Sequence, residues 1–204
     1  SDSNWSVGPW TTTAPNHVSD FALFGGGGTA ITAPRTVTVD GAFTVGTLSF
    51  NNPSYAYTLA DSLGANITLD NGASGSSVTD TAGSHFIQAP LTLTTNGATF
   101  SVVNIGDTLS TSGAISGVGG LTKIGNGTLT LSGPLAGSPA VPTSNSTFTG
   151  NITVSSGKLI GAAIRTGTNT VFGAASNTRT ITVESGTFLE FHATNTFGGH
   201  NTIN

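Results

Sequence analysis

Apolar and polar positions alternate with a period of two in short runs along this chain, and a glycine follows each run within a few residues. The runs are Val37-Thr38-Val39 before Gly41, Ile67-Thr68-Leu69 before Gly72, Leu91-Thr92-Leu93 before Gly97, Leu129-Thr130-Leu131 before Gly133, Ile152-Thr153-Val154 before Gly157 and Ile181-Thr182-Val183 before Gly186. Such alternation puts both apolar side chains of a unit on one face of a strand and the threonine on the other. Each unit therefore predicts one rung of a shared core. The units start at residues 37, 67, 91, 129, 152 and 181, so 30, 24, 38, 23 and 29 residues apart. That spacing suits the turns of one solenoid carrying loop insertions better than hairpins, whose turn signals recur about every 8–12 residues. An antiparallel β-sandwich is the rival fold, separated by whether the units stack in parallel or pair through hairpins.

A second run follows the glycine in several copies: Gly46-Thr47-Leu48, Gly97-Ala98-Thr99-Phe100, Gly157-Lys158-Leu159 and Gly186-Thr187-Phe188. Glycine between two runs lets the backbone turn a corner at positive φ. The most regular stretch is Ile115 to Gly133, ISGVGGLTKIGNGTLTLSG, in which Lys123 and the glycines are explained by corner geometry and surface exposure. No window holds a 3.6-residue period, so little or no helix is expected. Two stretches break the pattern. The Pro-rich loop at 133–146, GPLAGSPAVPTSNS, cannot sustain a ladder, and Asn71 to Ser84 is Gly/Ser/Thr-rich and turn-like.

Residues 1–30 read as a capping or connecting segment and residues 31–204 as the repeats. The first segment holds Trp5, Trp10 and the run Phe21-Ala22-Leu23-Phe24 ahead of Gly25 to Gly28. A stack of strands exposes an apolar end, and an aromatic-rich terminal segment can cover it. Trp5, Trp10, Phe21 and Phe24 are accordingly the candidate assembly or partner contacts. The four glycines lack the Gly-Lys-Ser/Thr of a phosphate-binding loop and read as a flexible hinge.

Composition narrows the function. Charged residues make up 7% of the chain and the formal charge is −4, which argues against nucleic acid as a partner. The exposed faces must be built from Thr, Ser, Asn and Gly, and Thr fits a pleated ribbon. With no cysteine, disulfides and thiolate metal sites are excluded. No apolar run reaches the roughly 20 residues of a membrane helix. The opening Ser1-Asp2-Ser3 is what an exported protein would show after removal of a signal peptide.

Candidate chemistry is sparse. His17, His85, His192 and His200 lack paired spacing and read as surface or turn residues, with a weak metal site conceivable only if Glu190 met His192 and His200. Asp61, Asp70, Asp80 and Asp107 would have to line a groove to cut a polysaccharide, and contexts such as Asp70-Asn71-Gly72 read as turns instead. No catalytic residue, metal ligand or cofactor site is assigned. Tyr55, Tyr57, Trp5 and Trp10 are the rings that a carbohydrate-binding surface would use.

Gly119-Gly120-Leu121-Thr122-Lys123, then Gly125-Asn126-Gly127-Thr128-Leu129-Thr130-Leu131-Ser132-Gly133, then Thr147-Phe148-Thr149-Gly150-Asn151-Ile152-Thr153-Val154 and Gly157-Lys158-Leu159 closely resemble the autotransporter-associated β-strand repeat of bacterial exported proteins. The Pro-rich loop is the one departure in the order of these motifs. The match spans about Ile115 to Leu159, with weaker echoes before it and at Arg179 to Phe191. The resemblance implies an all-β, right-handed parallel β-helix of the passenger type, extracellular or on the cell surface, without catalytic residues. The function expected is a non-enzymatic stalk, surface-layer or self-assembling fibre subunit, associating head-to-tail or laterally. An adhesin or carbohydrate-binding module that meets cell-surface glycans is the alternative, and a polysaccharide lyase or hydrolase a third reading. Self-association is expected because a solenoid end carries unpaired strand edges.

Overall fold

The computed structural model describes residues 16–27, 31–62, 65–132, 146–162, 171–173, 178–191 and, for the backbone alone, 201–203. The described residues are nearly all β, and every strand pairing among them is parallel. The antiparallel sandwich is thereby excluded. Helix is confined, among these residues, to one 3-10 turn at Gly72–Ser74.

The strands come in sets of three. β1 (Phe21–Gly25), β2 (Arg35–Val39) and β3 (Ala42–Val45) form the first set; β4 (Thr47–Asn51), β5 (Tyr57–Asp61) and β6 (Asn66–Leu69) the second. The third is β7 (Ser76–Ala82), β8 (His85–Ile87) and β9 (Leu91–Leu93), and the fourth β10 (Ala98–Val102), β11 (Thr108–Thr111) and β12 (Ile115–Gly117). Then follow β13 (Leu121–Ile124), β14 (Thr128–Leu131), β15 (Ile152–Val154), β16 (Lys158–Gly161), β17 (Arg179–Val183), β18 (Phe188–Phe191) and β19 (Asn201–Ile203). Each set lays one strand on each of three sheets. The first sheet runs β1-β4-β7-β10-β13-β15-β17-β19, the second β2-β5-β8-β11-β14-β16-β18 and the third β3-β6-β9-β12. This is consistent with a parallel β-helix or solenoid. Thr147, Phe148 and Thr149 continue along β12 by donating their N–H groups to the carbonyls of Ile115, Ile115 and Gly117 at 2.7, 3.2 and 3.0 Å.

Period-two alternation explains the core. In the first sheet Ala22, Leu48, Val78, Phe100, Lys123 and Val154 stand in register on successive strands and face inward. In the second His85, Leu109, Leu129 and Leu159 do so, and in the third Ile67, Leu91 and Ile115. Burying a Leu, Ile or Phe side chain contributes about 1.5–3 kcal/mol, so each added strand strengthens one continuous core. Corner glycines make the stacking possible: Gly125 has φ +78°, and a Cβ there would collide with the Val102 carbonyl of the strand beneath.

Three expectations need correction. Ser76–Ala82, read as turn-like, is a seven-residue strand at the middle of the first sheet. Its inward positions are Ser76, Val78 and Asp80, so its alternation is steric and scarcely hydrophobic. The run Phe21 to Phe24, placed with the cap, belongs to β1 and so to the stack itself; Phe24 is buried in the core, while Phe21 is 40% exposed. Gly25 and Gly26 form a packed corner at φ +85° and +74° against Asn51, not a free hinge. Trp5, Trp10 and the loop at 133–145 lie outside the described residues.

On the outer face of the third sheet, polar side chains bond across strands. Thr92 Oγ1 donates to Asn66 Oδ1 at 3.0 Å and lies 3.0 Å from Ser116 Oγ, while Asn66 Nδ2 donates to Thr68 Oγ1 at 3.1 Å. This ladder is half-exposed, so its bonds are worth little singly. Asn66→Ala should cost about 1 kcal/mol in urea denaturation, the ordinary net worth of such bonds.

Candidate functional site

Chemistry-bearing side chains concentrate inside the stack, near the corners that join the first and second sheets. Alternation forces them there: on β7 Asp80 shares the face of Val78, and on β13 Lys123 shares the face of Leu121. That parity was readable, and it was the signal for Lys123, whose assignment to the surface is overturned: its side chain is fully buried. Lys123 Nζ donates to the carbonyls of Ile124 at 2.7 Å, Gly125 at 2.8 Å and Ser156 at 3.2 Å. Three donors meet three acceptors, tying the corner after β13 to the corner after β15. Burial lowers its amine to about 8.

His85, expected at the surface or in a turn, is also fully buried. The N–H of Tyr57 donates to its Nδ1 at 2.9 Å, so Nδ1 carries no proton and Nε2, 3.0 Å from the Ala82 carbonyl, is the donor. The ring packs on Phe50 at 5.1 Å between centroids with 18° between planes, and Phe50 stacks on Phe24 at 5.2 Å and 22°. Burial pushes its pKa down, against the Ala82 contact and the charge of Asp107.

Asp80 completes this group. It stands in register between Phe50 on β4 and Val102 on β10, has no exposed surface, and neither carboxyl oxygen has a hydrogen-bond partner among the described residues. Its Oδ1 lies 3.9 Å from His85 Nε2. Burial, helped by the negative charge of Asp107, raises its pKa to about 7. Asp107 sits outside it, its Oδ2 accepting from Gly83 N–H at 2.9 Å and Asn104 Nδ2 at 2.9 Å.

The remaining candidates are dispersed. Asp70 Oδ1 accepts from Gly72 N–H at 2.9 Å, the turn contact its context predicts. Asp61 lies on β5, and burial raises its pKa. His17 is exposed, with Nδ1 3.3 Å from Asp20 Oδ2. No group of three or more His, Cys, Asp or Glu able to hold a metal occurs among the described residues. Of the rings proposed for a carbohydrate platform, Tyr57 is buried beside Phe24 and His85, which removes it, and Tyr55 is exposed. Trp5, Trp10, His192 and His200 fall outside the described residues.

Fold and site together define a class: an almost wholly β protein of parallel sheets with a few ionisable side chains, Asp80, His85 and Lys123 among them, buried in its interior walls. Compared with models of protein families, with curated proteins and with solved structures, the chain matches none. Among the described residues, no helix is long and apolar enough to cross a membrane.

Proposed function

We propose that this chain is a non-enzymatic structural protein of the cell exterior, a right-handed parallel β-helix that serves as a stalk, surface-layer or fibre subunit. The observation that carries this reading is the all-parallel first sheet, eight strands long, a ladder that among the described residues ends in strand edges at β1 and β19. Backbone N–H and C=O groups on such edges pair readily with another strand, and a second copy added end to end satisfies them without new chemistry. The buried Lys123 and His85 support the reading too, since their polar atoms are spent on backbone contacts that tie neighbouring sets together. The resemblance of Ile115 to Leu159 to the autotransporter-associated repeat adds export and surface display.

Electron microscopy of the purified full chain tests this directly. Strands stack about 4.8 Å apart, so eight strands predict fibres with an axial repeat of about 40 Å per subunit. A chain that stays a monodisperse monomer in sedimentation at high concentration sinks the assembly reading.

A further inference from the structure

Asp80 and His85 form an arrangement that a scaffold role does not require. A buried carboxyl with no hydrogen-bond donor is tolerated when neutral and costly when ionised, because burial penalises the charged form. The obvious rescuer is an imidazolium, and the local geometry forbids it. His85 Nδ1 faces the Tyr57 N–H, so a second proton on the ring would set two donors against each other, while the Nε2 proton is directed to the Ala82 carbonyl. The carboxyl must carry its own proton to fit.

Among the described residues the surroundings offer no other compensation. β4 presents Phe50 and β10 presents Val102, both apolar. β8 presents the neutral His85, behind which lie Tyr57 on β5 and Arg35, which pairs with it on β2. The connection after β10 brings Asp107, a like charge. Lys123 belongs to the neighbouring column of the first sheet and is engaged by three carbonyls. The same corner is held by hydrogen bonds that an opening there would expose, among them Asn52 N–H to the Ala82 carbonyl at 2.9 Å, Gly83 N–H to Asp107 and Tyr57 N–H to His85.

We propose that Asp80 and His85 make a proton-operated latch in the wall of the stack, closed and packed while the Asp80 carboxyl keeps its proton and loosened when that proton passes to solvent. The sign follows from linkage. A carboxyl whose folded pKa, about 7, lies above its unfolded value of about 3.9 holds a proton that the unfolded chain has released. Its contribution is greatest at acid pH and declines up to about pH 7. His85 works in the opposite sense: its folded pKa is lowered, so acidification below about 6.5 favours the unfolded chain. Comparison with Asp80→Asn cancels the histidine, because Asn keeps the shape of the neutral acid and leaves His85 in place.

The test measures unfolding of the full chain and of Asp80→Asn by urea from pH 4.5 to 7.5. The ratio of their unfolding constants should shift by about 100-fold in favour of the variant, on the order of tenfold per pH unit over most of that range. A ratio constant within about threefold overturns the latch. Amide exchange reads the opening itself: protection at Asn52, Tyr57 and Gly83 should fall about tenfold more in the natural chain than in the variant between pH 6 and 8, and equal behaviour counts against the proposal. Should the variant fail to fold, the carboxyl carbon of Asp80 followed by NMR in the natural chain decides alone. Protonated at pH 6, it supports the latch; ionised at pH 5, it refutes it.

Discussion

Lys123→Ala is expected to destabilise the chain by about 2–5 kcal/mol, the range found when a long buried side chain is truncated to alanine. Two losses combine. The carbonyls of Ile124, Gly125 and Ser156 lose their donor, and the lysine stem leaves a void in a column otherwise filled by Val78, Phe100 and Val154. Lys123→Met separates them, because it refills most of the void and restores no donor; it should recover part of the loss in urea denaturation. If Met and natural chain were equally stable, the carbonyl clamp would be worth nothing. The amine adds a pH signature. Burial lowers it to about 8, against about 10.4 for a free lysine, so the folded chain releases this proton first. Stability contributed by this group should therefore rise from about pH 8 to about pH 10, and that rise should vanish in Lys123→Met.

Phe50→Ala should cost a similar amount, about 3–5 kcal/mol, as aromatic truncations in cores do. Its ring is fully buried and carries two stacked contacts, to Phe24 and to His85, so the void opens at the middle of the aromatic column. Phe86 supplies the control, since it lies on the outward face of β8 and is 43% exposed. Phe86→Ala should change stability by about 0.5 kcal/mol or less, as surface substitutions do. Equal effects at the two positions, measured by denaturation at one pH, would contradict the inside and outside assigned to β4 and β8.

Much of this fold was legible because threonine alternates with apolar residues wherever a strand runs. All six units are strands with their apolar pairs turned toward the core or packed against it. Their spacing was less informative than it looked. Only two of the five steps join rung partners: Ile67 to Leu91 in the third sheet and Ile152 to Ile181 in the first. The other three join units on different sheets, so those intervals measure a change of sheet and not a period. Sequence offered no way to assign a unit to its sheet, since each sheet buries the same kind of side chain.

The interior polar groups were legible in part. Alternation places Lys123 and Asp80 inward, but a charge at a core position contradicts the usual ranking of buried residues, and surface exposure is the ordinary reading. What resolves the conflict is contact between sets: for Lys123, the Ser156 carbonyl thirty-three residues away. For His85 it is the Tyr57 amide, twenty-eight residues back. No local motif announces either.

The register of the ladders has a mechanical consequence. Hydrogen bonds between successive sets point along the stack, so tension applied to its two ends meets a series of interfaces, and the weakest one yields first. Between the first and second sets the second sheet is joined by five residue pairs, whereas between the second and third sets it is joined by two, Thr58 with Phe86 and Leu59 with Ile87. At that same level the first sheet slips register between Phe50 and Asn51. Of these two interfaces the second is the more weakly joined, and it is the one that Asp80 and His85 occupy, so the state of the Asp80 proton bears on the force at which it gives way.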